Sequence, residues 1–428
     1  MKRIGLIVLL VAVGLVLFRN QSHGYASADQ SGYLNLSRML SRGERTLALP
    51  GDAAWFTPLG FVASRDGKSM ASFYPPGLPL HLLLTGAVSP IAGVLLILFT
   101  FLIGARLHSE EAGLIAAVLM ALCAVFVFES LQGMSDVLAA MWSAAAVFFV
   151  LRRWPVWGGF AFGMAVLVRP TSFLLLPALL IAIDGLKPVL RFVLGGLPCA
   201  LFLAWYNHGA FGSILGTGYA AAGATREFAL HYFPARAVHY AKWTAVQFSI
   251  VACVVALWGM RRRWVLIAWL APFLVFYSFY FWYDEWWYTR FLLPAYPAIA
   301  VAAGIAFAEL KWRRVSGALV ILIAAWQLRQ IARFGVLHTD EEQERAMAPV
   351  HWAAKHLPRN ALVLSHEYSG ALLYASTLKP VRFDRHPPLE LGQYAVLMEH
   401  EIAPFLARYG SRARRLYTGD DGAVFVLK

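Results

Sequence analysis

The chain has 428 residues, of which 59% are hydrophobic and 14% are charged, and its mean hydropathy is +0.60. A water-soluble core cannot hide so much apolar surface, so these values exclude an ordinary soluble globular protein and indicate a membrane protein. The formal net charge is +13, but much of this surplus belongs to an orientation signal with anionic lipid headgroups as counter-charge, and nucleic-acid binding is not implied.

Apolar runs able to cross roughly 30 Å of hydrocarbon recur along the chain. The first, Ile4 to Phe18, follows Lys2 and Arg3. No convincing small-residue cleavage site comes after it, so we interpret it as an uncleaved first helix rather than a signal peptide. About eleven spans are predicted in all, near 4–18, 87–107, 111–128, 135–151, 155–168, 171–184, 189–206, 243–260, 264–282, 290–309 and 315–332. The fold class is therefore a polytopic α-helical membrane protein.

Lys and Arg residues fall on alternate connections between these runs. With the amino terminus in the cytoplasm, every inner connection is basic, as the positive-inside rule requires. These connections carry Arg106, Arg152 and Arg153, Lys187 and Arg191, Arg261 to Arg263, and Lys311 with Arg313 and Arg314. The long first loop, about 19–86, and the tail then lie on the extracytoplasmic side.

The outer segments contain local structural signals. Ser27-Ala28-Asp29-Gln30 is a capping-box pattern that predicts a helix start, and the helical spacing of Tyr33 and Leu36 suits a helix lying in the headgroup plane. The tail predicts a helix near 341–357, a strand at 361–364 and a hairpin at Asp421-Gly422. We therefore expect a transmembrane domain over 1–332 and a small soluble α/β domain over 333–428.

Arg169-Pro170 separates two short apolar runs, 155–168 and 171–184. This pattern predicts half-depth or strongly tilted helices, which would leave a cavity reaching into the bilayer from outside. The three cysteines, Cys123, Cys199 and Cys253, have unrelated spacings inside apolar runs and indicate neither a disulfide framework nor a thiolate metal site.

Several motifs in their order along the chain resemble the GT-C membrane glycosyltransferases, in particular the bacterial relatives of protein O-mannosyltransferases and of the lipid A aminoarabinose transferase. These are Asp29 with Tyr33, Tyr74-Pro75-Pro76-Gly77, Ser135-Asp136, Arg169-Pro170-Thr171, Tyr206-Asn207 to Gly218-Tyr219, and Arg290-Phe291-Leu292-Leu293-Pro294. The resemblance covers roughly residues 1–310. It implies a multi-span enzyme of the bacterial inner membrane that transfers a sugar from a polyprenyl-phosphate carrier to an acceptor on the outer side.

The chain departs from the family pattern in two places. It has Asp29-Gln30 where many relatives have an acidic pair, and Tyr74-Pro75-Pro76-Gly77 where the aminoarabinose transferases have Lys-Pro-Pro. The identity of the sugar, and whether the acceptor is a glycan, a lipid or a protein, therefore cannot be carried over.

Asp29, Asp136, Arg169 and Arg290 are the main candidates for the chemistry. Displacing a lipid phosphate from an anomeric carbon needs a carboxylate base and cations on the leaving phosphate. Asp29 is the expected base, and the alternative is that it only interacts with a helix dipole. Asp136 is a second site carboxylate or an N-cap. Arg169 and Arg290 are phosphate ligands, or they snorkel to the headgroups or form an interfacial ion pair.

Four further residues are weaker candidates for substrate binding. Lys68 can reach the lipid phosphate or remain a solvated loop charge, and Tyr74 can stack on a sugar or be a tyrosine of the interfacial aromatic belt. Tyr33 belongs to the same motif as Asp29, and Glu129 opens an outer turn. Metal dependence stays open, because two carboxylates permit a divalent ion without requiring one.

Two other classes of function remain as alternatives. A polytopic transporter or lipid-carrier flippase also places charges inside spans, although the chain shows no pair of similar halves. A membrane sensor or assembly scaffold leaves Arg169 and Asp136 unexplained. The sequence favours a glycosyltransferase that inverts the anomeric centre by single displacement.

Overall fold

The structure, a computed structural model, describes residues 2–64, 66–281 and 283–428. The chain divides into two compact units. The first unit comprises the chain through Gln21 together with Ala87–Phe202 and Thr225–Thr339, and the second comprises Ser22–Gly86, Leu203–Ala224 and Asp340–Lys428. The long first loop therefore groups with the tail.

The first unit is helical. Its α-helices are Lys2–Arg19, Val88–Leu107, Glu110–Ala121, Ala124–Leu131, Ser135–Leu151, Pro155–Val168, Leu176–Ala182, Leu186–Phe211 (which continues into the second unit), Phe233–Phe248, Ile250–Met260, Trp264–Ser278, Tyr296–Glu309 and Arg313–Arg333. Short 3-10 segments occur at Pro170–Leu175, Leu230–Tyr232, Trp286–Ala295 and Val336–His338, with another at Ala224–Glu227. Most of these helices coincide with the predicted apolar runs.

Within the described residues, four helical segments are long and apolar enough to cross a membrane: Val88–Leu107, Leu186–Phe211, Trp286–Glu309 and Arg313–Arg333. Two bent pairs raise this number to six if each pair is one span. The chain is thus a multi-pass membrane protein, as expected, while the total of eleven spans stays a prediction.

Two expected spans are broken in the structure. The run 111–128 forms Glu110–Ala121 and Ala124–Leu131, which meet at 64°, because Cys123 takes an extended conformation with φ −70° and ψ 120°. The run 243–260 is interrupted at Ser249, whose φ of 73° lies in the left-handed region, and the flanking helices meet at 103°. Apolar composition alone does not reveal either break.

Two buried glutamines satisfy backbone groups at the first break. The side-chain oxygen of Gln247 accepts a hydrogen bond of 3.1 Å from the N–H of Val125. The Gln327 amide donates at 2.9 Å to the carbonyl of Leu119. A backbone group without a partner is costly in an apolar interior, so these side chains make the break possible.

Helix packing in the first unit relies on small residues. A Cβ on Gly113 would lie 2.4 Å from the carbonyl oxygen of Phe101, and one on Gly304 would lie 2.3 Å from that of Ala112. Backbones that approach this closely are typical of membrane helices. Four of the exposed apolar side chains of Leu186–Phe211 recur at helical spacing and suit contact with lipid: Leu190, Leu194, Leu197 and Leu201.

The second unit contains two sheets. Strands β1 (Leu47–Ala48), β2 (Phe61–Ala63) and β3 (Ser69–Ser72) form an antiparallel sheet in the order β1-β3-β2. Strands β4 (Leu362–Ser365), β5 (Lys379–Arg382), β6 (Tyr394–Met398), β7 (Ala413–Thr418) and β8 (Gly422–Leu427) form a mixed sheet in the order β5-β4-β6-β8-β7. Its helices are Ala28–Ser41, Ala53–Phe56, Gly77–Leu82, Gly218–Ala221, Thr339–His356, Ser369–Ala375 and Glu399–Tyr409, and short 3-10 turns lie at Phe383–Arg385 and Leu389–Leu391.

The helix Ala28–Ser41, named the Asp29 helix, begins as the sequence predicts. The Ser27 side chain accepts a hydrogen bond from the N–H of Gln30 and caps the first turn. Most of the helix is buried, including Gln30, Tyr33 and Asn35, and it packs on the helix Ser369–Ala375. The buried Asn35 amide donates to the carbonyls of Ser31 and Gly370, and the position of this helix in the headgroup plane stays a prediction.

Candidate functional site

Asp29, Tyr74 and Tyr33 meet in the second unit. The Tyr74 hydroxyl donates a hydrogen bond of 2.6 Å to Oδ1 of Asp29. The rings of Tyr33 and Tyr74 lie 4.7 Å apart, and each residue is 3% exposed. Asp29 itself is half-buried in the first turn of its helix, where the dipole favours a negative charge. The arrangement fixes the orientation of the Asp29 carboxylate in the second unit.

The local sequence creates the space that Tyr74 occupies. A Cβ on Gly32 would lie 2.2 Å from the Tyr74 ring, so only glycine fits on that turn of the helix. Gly60, at a φ of +85°, lets the loop pass close to the same ring. The Phe73 ring contacts Tyr74 at 4.0 Å and Tyr219 at 5.4 Å. Motifs that are far apart in the sequence thus pack around a single tyrosine.

Burial and the neighbouring charge of Asp29 raise the pKa of Tyr74 well above its ordinary value. Desolvation is the larger cause, because a buried phenolate has lost its water, and the adjacent carboxylate adds repulsion. The hydroxyl therefore keeps its proton at physiological pH and remains a hydrogen-bond donor to Asp29.

Asp136 and Arg169 pair in the first unit, and Arg169 and Arg290 both lie near the ring of Phe291. Arg169 forms an ion pair with Asp136, and their side chains are 13% and 2% exposed. The Arg169 guanidinium lies 5.1 Å from the centroid of the Phe291 ring, and the Arg290 guanidinium lies 5.4 Å from the same centroid. Two cations thus converge on one aromatic ring, and we name these four residues the arginine cluster.

The structure decides between the local interpretations of these charges. Asp136 is not an N-cap, because the helix Ser135–Leu151 is capped at Met134 and the Asp136 carboxylate binds Arg169. The Arg169 side chain pairs with that carboxylate and is largely buried. Arg290 is not the partner of Asp284, whose carboxylate instead contacts His239 and Lys242.

Sequence reasoning missed Tyr277. Its hydroxyl lies 2.7 Å from that of Thr171, and its ring stacks on Phe291 with centroids 5.0 Å apart. Tyr277 therefore connects the segment after Arg169 to the segment after Arg290. A tyrosine in the middle of an apolar run is the only signal available in the sequence, because a buried hydroxyl needs a polar partner.

The remaining candidates lie elsewhere. Lys68 is exposed in the hairpin turn between β2 and β3. Glu129 is fully buried in the helix Ala124–Leu131. Trp286, close to Arg290 in the sequence, is buried, and its ring stacks on that of Phe334 with centroids 4.4 Å apart. Across residues 2–64, 66–281 and 283–428, no group of three or more His, Cys, Asp or Glu side chains is arranged to hold a metal ion.

Comparison with known proteins identifies the fold. Residues 86–204 match the sequence model of the family described as dolichyl-phosphate-mannose-protein mannosyltransferase. A search of curated protein sequences finds no match.

Solved structures match nearly the whole chain. One is ArnT from Cupriavidus metallidurans bound to undecaprenyl phosphate, with a TM-score of 0.62, 15% identity, and coverage of 98% of this chain and 97% of that one. Another is the oligosaccharyltransferase AglB from Archaeoglobus fulgidus in complex with an inhibitory peptide and a dolichol-phosphate, with a TM-score of 0.57, 13% identity, and coverage of 94% and 70%.

These matches confirm the resemblance to the GT-C superfamily of membrane glycosyltransferases that the sequence motifs indicated. The chain has the GT-C fold. The chain is thus similar to the mannosyltransferase family over residues 86–204 and shares its fold with these two solved structures.

Proposed function

We propose that this protein transfers a sugar from a polyprenyl-phosphate donor to a hydroxyl of an acceptor on the extracytoplasmic side of the membrane. The match to structures whose ligands are undecaprenyl phosphate and dolichol-phosphate supports this donor class. The acceptor is a glycan, a lipid or a protein, and the lipid part of the donor lies among the membrane lipids.

The observation that carries the proposal is the convergence of Arg169 and Arg290 on Phe291. Ionisable groups at membrane depth are costly, find partners inside the protein and tend to mark functional sites, and here two guanidinium groups lie at the breaks of apolar helices. Planar guanidinium groups donate paired hydrogen bonds that match phosphate oxygens. We assign both arginines to the phosphate of the donor, and we assign Asp136 the positioning of Arg169.

Asp29 is the proposed general base. It accepts the proton of the acceptor hydroxyl as the oxygen attacks the anomeric carbon of the sugar. The bond from that carbon to the phosphate oxygen breaks, and the polyprenyl phosphate leaves with the electron pair and the negative charge. A single displacement of this kind inverts the anomeric centre. Arg169 and Arg290 stabilise the charge that develops on the leaving phosphate.

Tyr74 has a supporting role in this scheme. Its ring is 3% exposed, so it has no free face on which a sugar can stack. Its hydroxyl holds Asp29, and we assign it as a positioning residue. The orientation of the chain, with the amino terminus cytoplasmic and the tail extracytoplasmic, follows the positive-inside rule and is part of the proposal.

The test is a transfer assay with Asp29→Asn in membranes supplied with radiolabelled polyprenyl-phosphate sugars. We expect transfer to fall at least about a hundredfold while expression is unchanged, as loss of a general base predicts. Asp420→Asn, which changes an exposed acid in a hairpin turn of the same unit, is the matched control and should keep wild-type transfer. Equal transfer by Asp29→Asn and Asp420→Asn would overturn the assignment of Asp29.

The same preparation separates an enzyme from a lipid-carrier flippase. A flippase moves the labelled lipid across the bilayer without attaching its sugar to any acceptor. Labelled lipid that changes leaflet while no sugar reaches an acceptor, with every donor tried, would refute glycosyl transfer.

A further inference from the structure

A cavity of about 520 Å³ lies in the second unit, away from the Asp29 carboxylate. It is bounded by the carboxyl-terminal half of the Asp29 helix, the turn that follows this helix, and the start of the edge strand β5. Arg42, Asn360 and Thr377 are exposed at its rim, while Asn35, Met39 and Met70 are buried at its floor. The cavity therefore opens to solvent and has an ordered base.

Positive charge dominates the lining. Arg38, Arg42 and Lys379 face a single acid, Glu44. Arg38 is fixed in place by Tyr374. Its guanidinium donates a hydrogen bond of 2.7 Å to the backbone carbonyl of Tyr374 and lies 4.1 Å from the centroid of the Tyr374 ring. Among the described residues, neither Arg42 nor Lys379 has an ion-pair partner. Two cations at a concave surface are thus available to a negatively charged ligand.

Glu44 adds a different requirement. Its carboxylate lines the cavity together with the cations, and a carboxylate accepts hydrogen bonds from the hydroxyls of a sugar. The apolar floor, which includes Met39 and Phe56, suits the C–H faces of a sugar ring. An inorganic anion would contact the cations of the lining but would not use Glu44 or the apolar floor.

We infer that the cavity is a binding site for an anionic carbohydrate. Carboxylate or phosphate groups of the sugar pair with Arg42 and Lys379, its hydroxyls donate to Glu44, and its apolar faces contact the floor. Charged and hydrogen-bonding groups set the specificity, while the apolar surface supplies shape.

The next step of the inference rests on the proposed function, in which Asp29 is the general base. The Asp29 helix carries the proposed base in its first turn and Arg38 in its last turn. The two residues are separated by about 14 Å along the axis at 1.5 Å per residue. That distance exceeds one sugar ring, so a ligand that occupies both ends is an oligomer. The cavity therefore holds the part of an acidic glycan acceptor that is distant from the reacting hydroxyl.

The experiment is isothermal titration of the purified full-length chain in phosphatidylcholine nanodiscs. The probes are tetragalacturonic acid, glucose 6-phosphate, inorganic phosphate and neutral maltotetraose. We expect at least one of the two acidic sugars to bind about tenfold more tightly than both maltotetraose and inorganic phosphate. Which acidic sugar binds more tightly distinguishes a carboxylate from a phosphate ligand.

Variants locate the binding in the cavity. Arg42→Gln and Lys379→Gln should each weaken binding of the acidic sugar about tenfold, because each removes one charge-assisted contact. Arg345→Gln, an exposed change on the helix Thr339–His356, should leave binding unchanged. Absence of binding by the acidic sugars, equal binding of maltotetraose or phosphate, or equal effects of Arg42→Gln and Arg345→Gln would overturn the inference. The titration contains no sugar donor, so its result is independent of the transfer assay that tests the proposed function.

Discussion

The hydrogen bond from Tyr74 to Asp29 gives a specific prediction for the variant Tyr74→Phe. The substitution removes one oxygen atom and keeps the ring that fills the space beside Gly32 and Tyr33. The 2.6 Å bond to Oδ1 of Asp29 is lost. We therefore expect a defect in the chemical step with little change in the fold.

The magnitude follows from the charge of the acceptor. A hydrogen bond to a charged group contributes about 1.5–3 kcal/mol, which corresponds to a roughly 10- to 150-fold change in rate if the bond acts fully in the transition state. Asp29 is half-buried, so water replaces part of the lost bond. We expect kcat to fall about tenfold to fiftyfold, with KM for the lipid donor unchanged, because the substitution leaves the proposed phosphate ligands, Arg169 and Arg290, intact.

The assay compares Tyr74→Phe with Tyr25→Phe, since the Tyr25 ring also packs inside the second unit, against Tyr374. Among the described residues the Tyr25 hydroxyl makes no hydrogen bond. Transfer should be near wild type in Tyr25→Phe. A Tyr74→Phe protein with wild-type kcat would refute the positioning role, even if Asp29 proves essential.

The raised pKa of Tyr74 adds a pH dependence. Its folded-state pKa lies above the ordinary value of about 10. The stability that this shift contributes is fully present below pH 10 and is lost as the pH rises through the folded-state value. The stability difference between wild type and Tyr74→Phe should therefore be constant from about pH 6 to pH 9 and should change only above pH 10. A change between pH 6 and pH 9 would show that another group controls this bond.

Three further predictions concern stability, measured by thermal unfolding in detergent. Asp136→Asn should lower the free energy of unfolding by about 3–5 kcal/mol, because it removes the carboxylate that pairs with Arg169. Asp136→Asn combined with Arg169→Gln should recover part of that loss. Gln247→Leu should lower the free energy of unfolding by about 1–3 kcal/mol, because it removes the acceptor of a backbone N–H at a helix break. An unchanged melting temperature would contradict that explanation of the break. Gly32→Ala should displace the Tyr74 ring and cost about 1–3 kcal/mol, whereas Gly86→Ala, where a Cβ meets open space, should be neutral in the same assay.

Much of the fold follows from local sequence. The predicted runs 135–151 and 155–168 coincide with the helices Ser135–Leu151 and Pro155–Val168, because a continuous apolar segment in a membrane protein satisfies its backbone groups by forming a helix. The cap at Ser27 was also predictable, because its hydrogen bond joins residues three positions apart. The two broken spans were not, because the groups that make the first break possible come from helices remote in the sequence.

The candidate site was predictable as a set of residues but not as a set of contacts. The sequence selects Asp136 and Arg169 separately, and their ion pair depends on how two helices pack. Tyr74 was predicted to contact a sugar or to belong to the aromatic belt, and the sequence does not show that its hydroxyl bonds to Asp29, 45 residues away. Tyr277 was missed, since a lone tyrosine in an apolar run does not indicate which hydroxyl it meets.

The sequence also did not predict that the first loop and the tail belong to the same compact unit. No local pattern relates residues 22–86 to residues 340–428, and their association depends on long-range contacts such as the hydrogen bond from Asn35 to the carbonyl of Gly370. The expected domain boundary at 332 rested on composition, which does not detect such contacts.

The central claim is that Asp29, Arg169 and Arg290 act on one extracytoplasmic reaction. The most direct test replaces Cys123, Cys199 and Cys253 with alanine, introduces a single cysteine at 29, 169 or 290, and applies a small membrane-impermeant thiol reagent to each face of the membrane. Arg262→Cys, on a basic inner connection, is the control for the cytoplasmic face. The account predicts that all three site positions react from the extracytoplasmic face and that position 262 reacts from the other. Reaction of any site position only from the cytoplasmic face would contradict it.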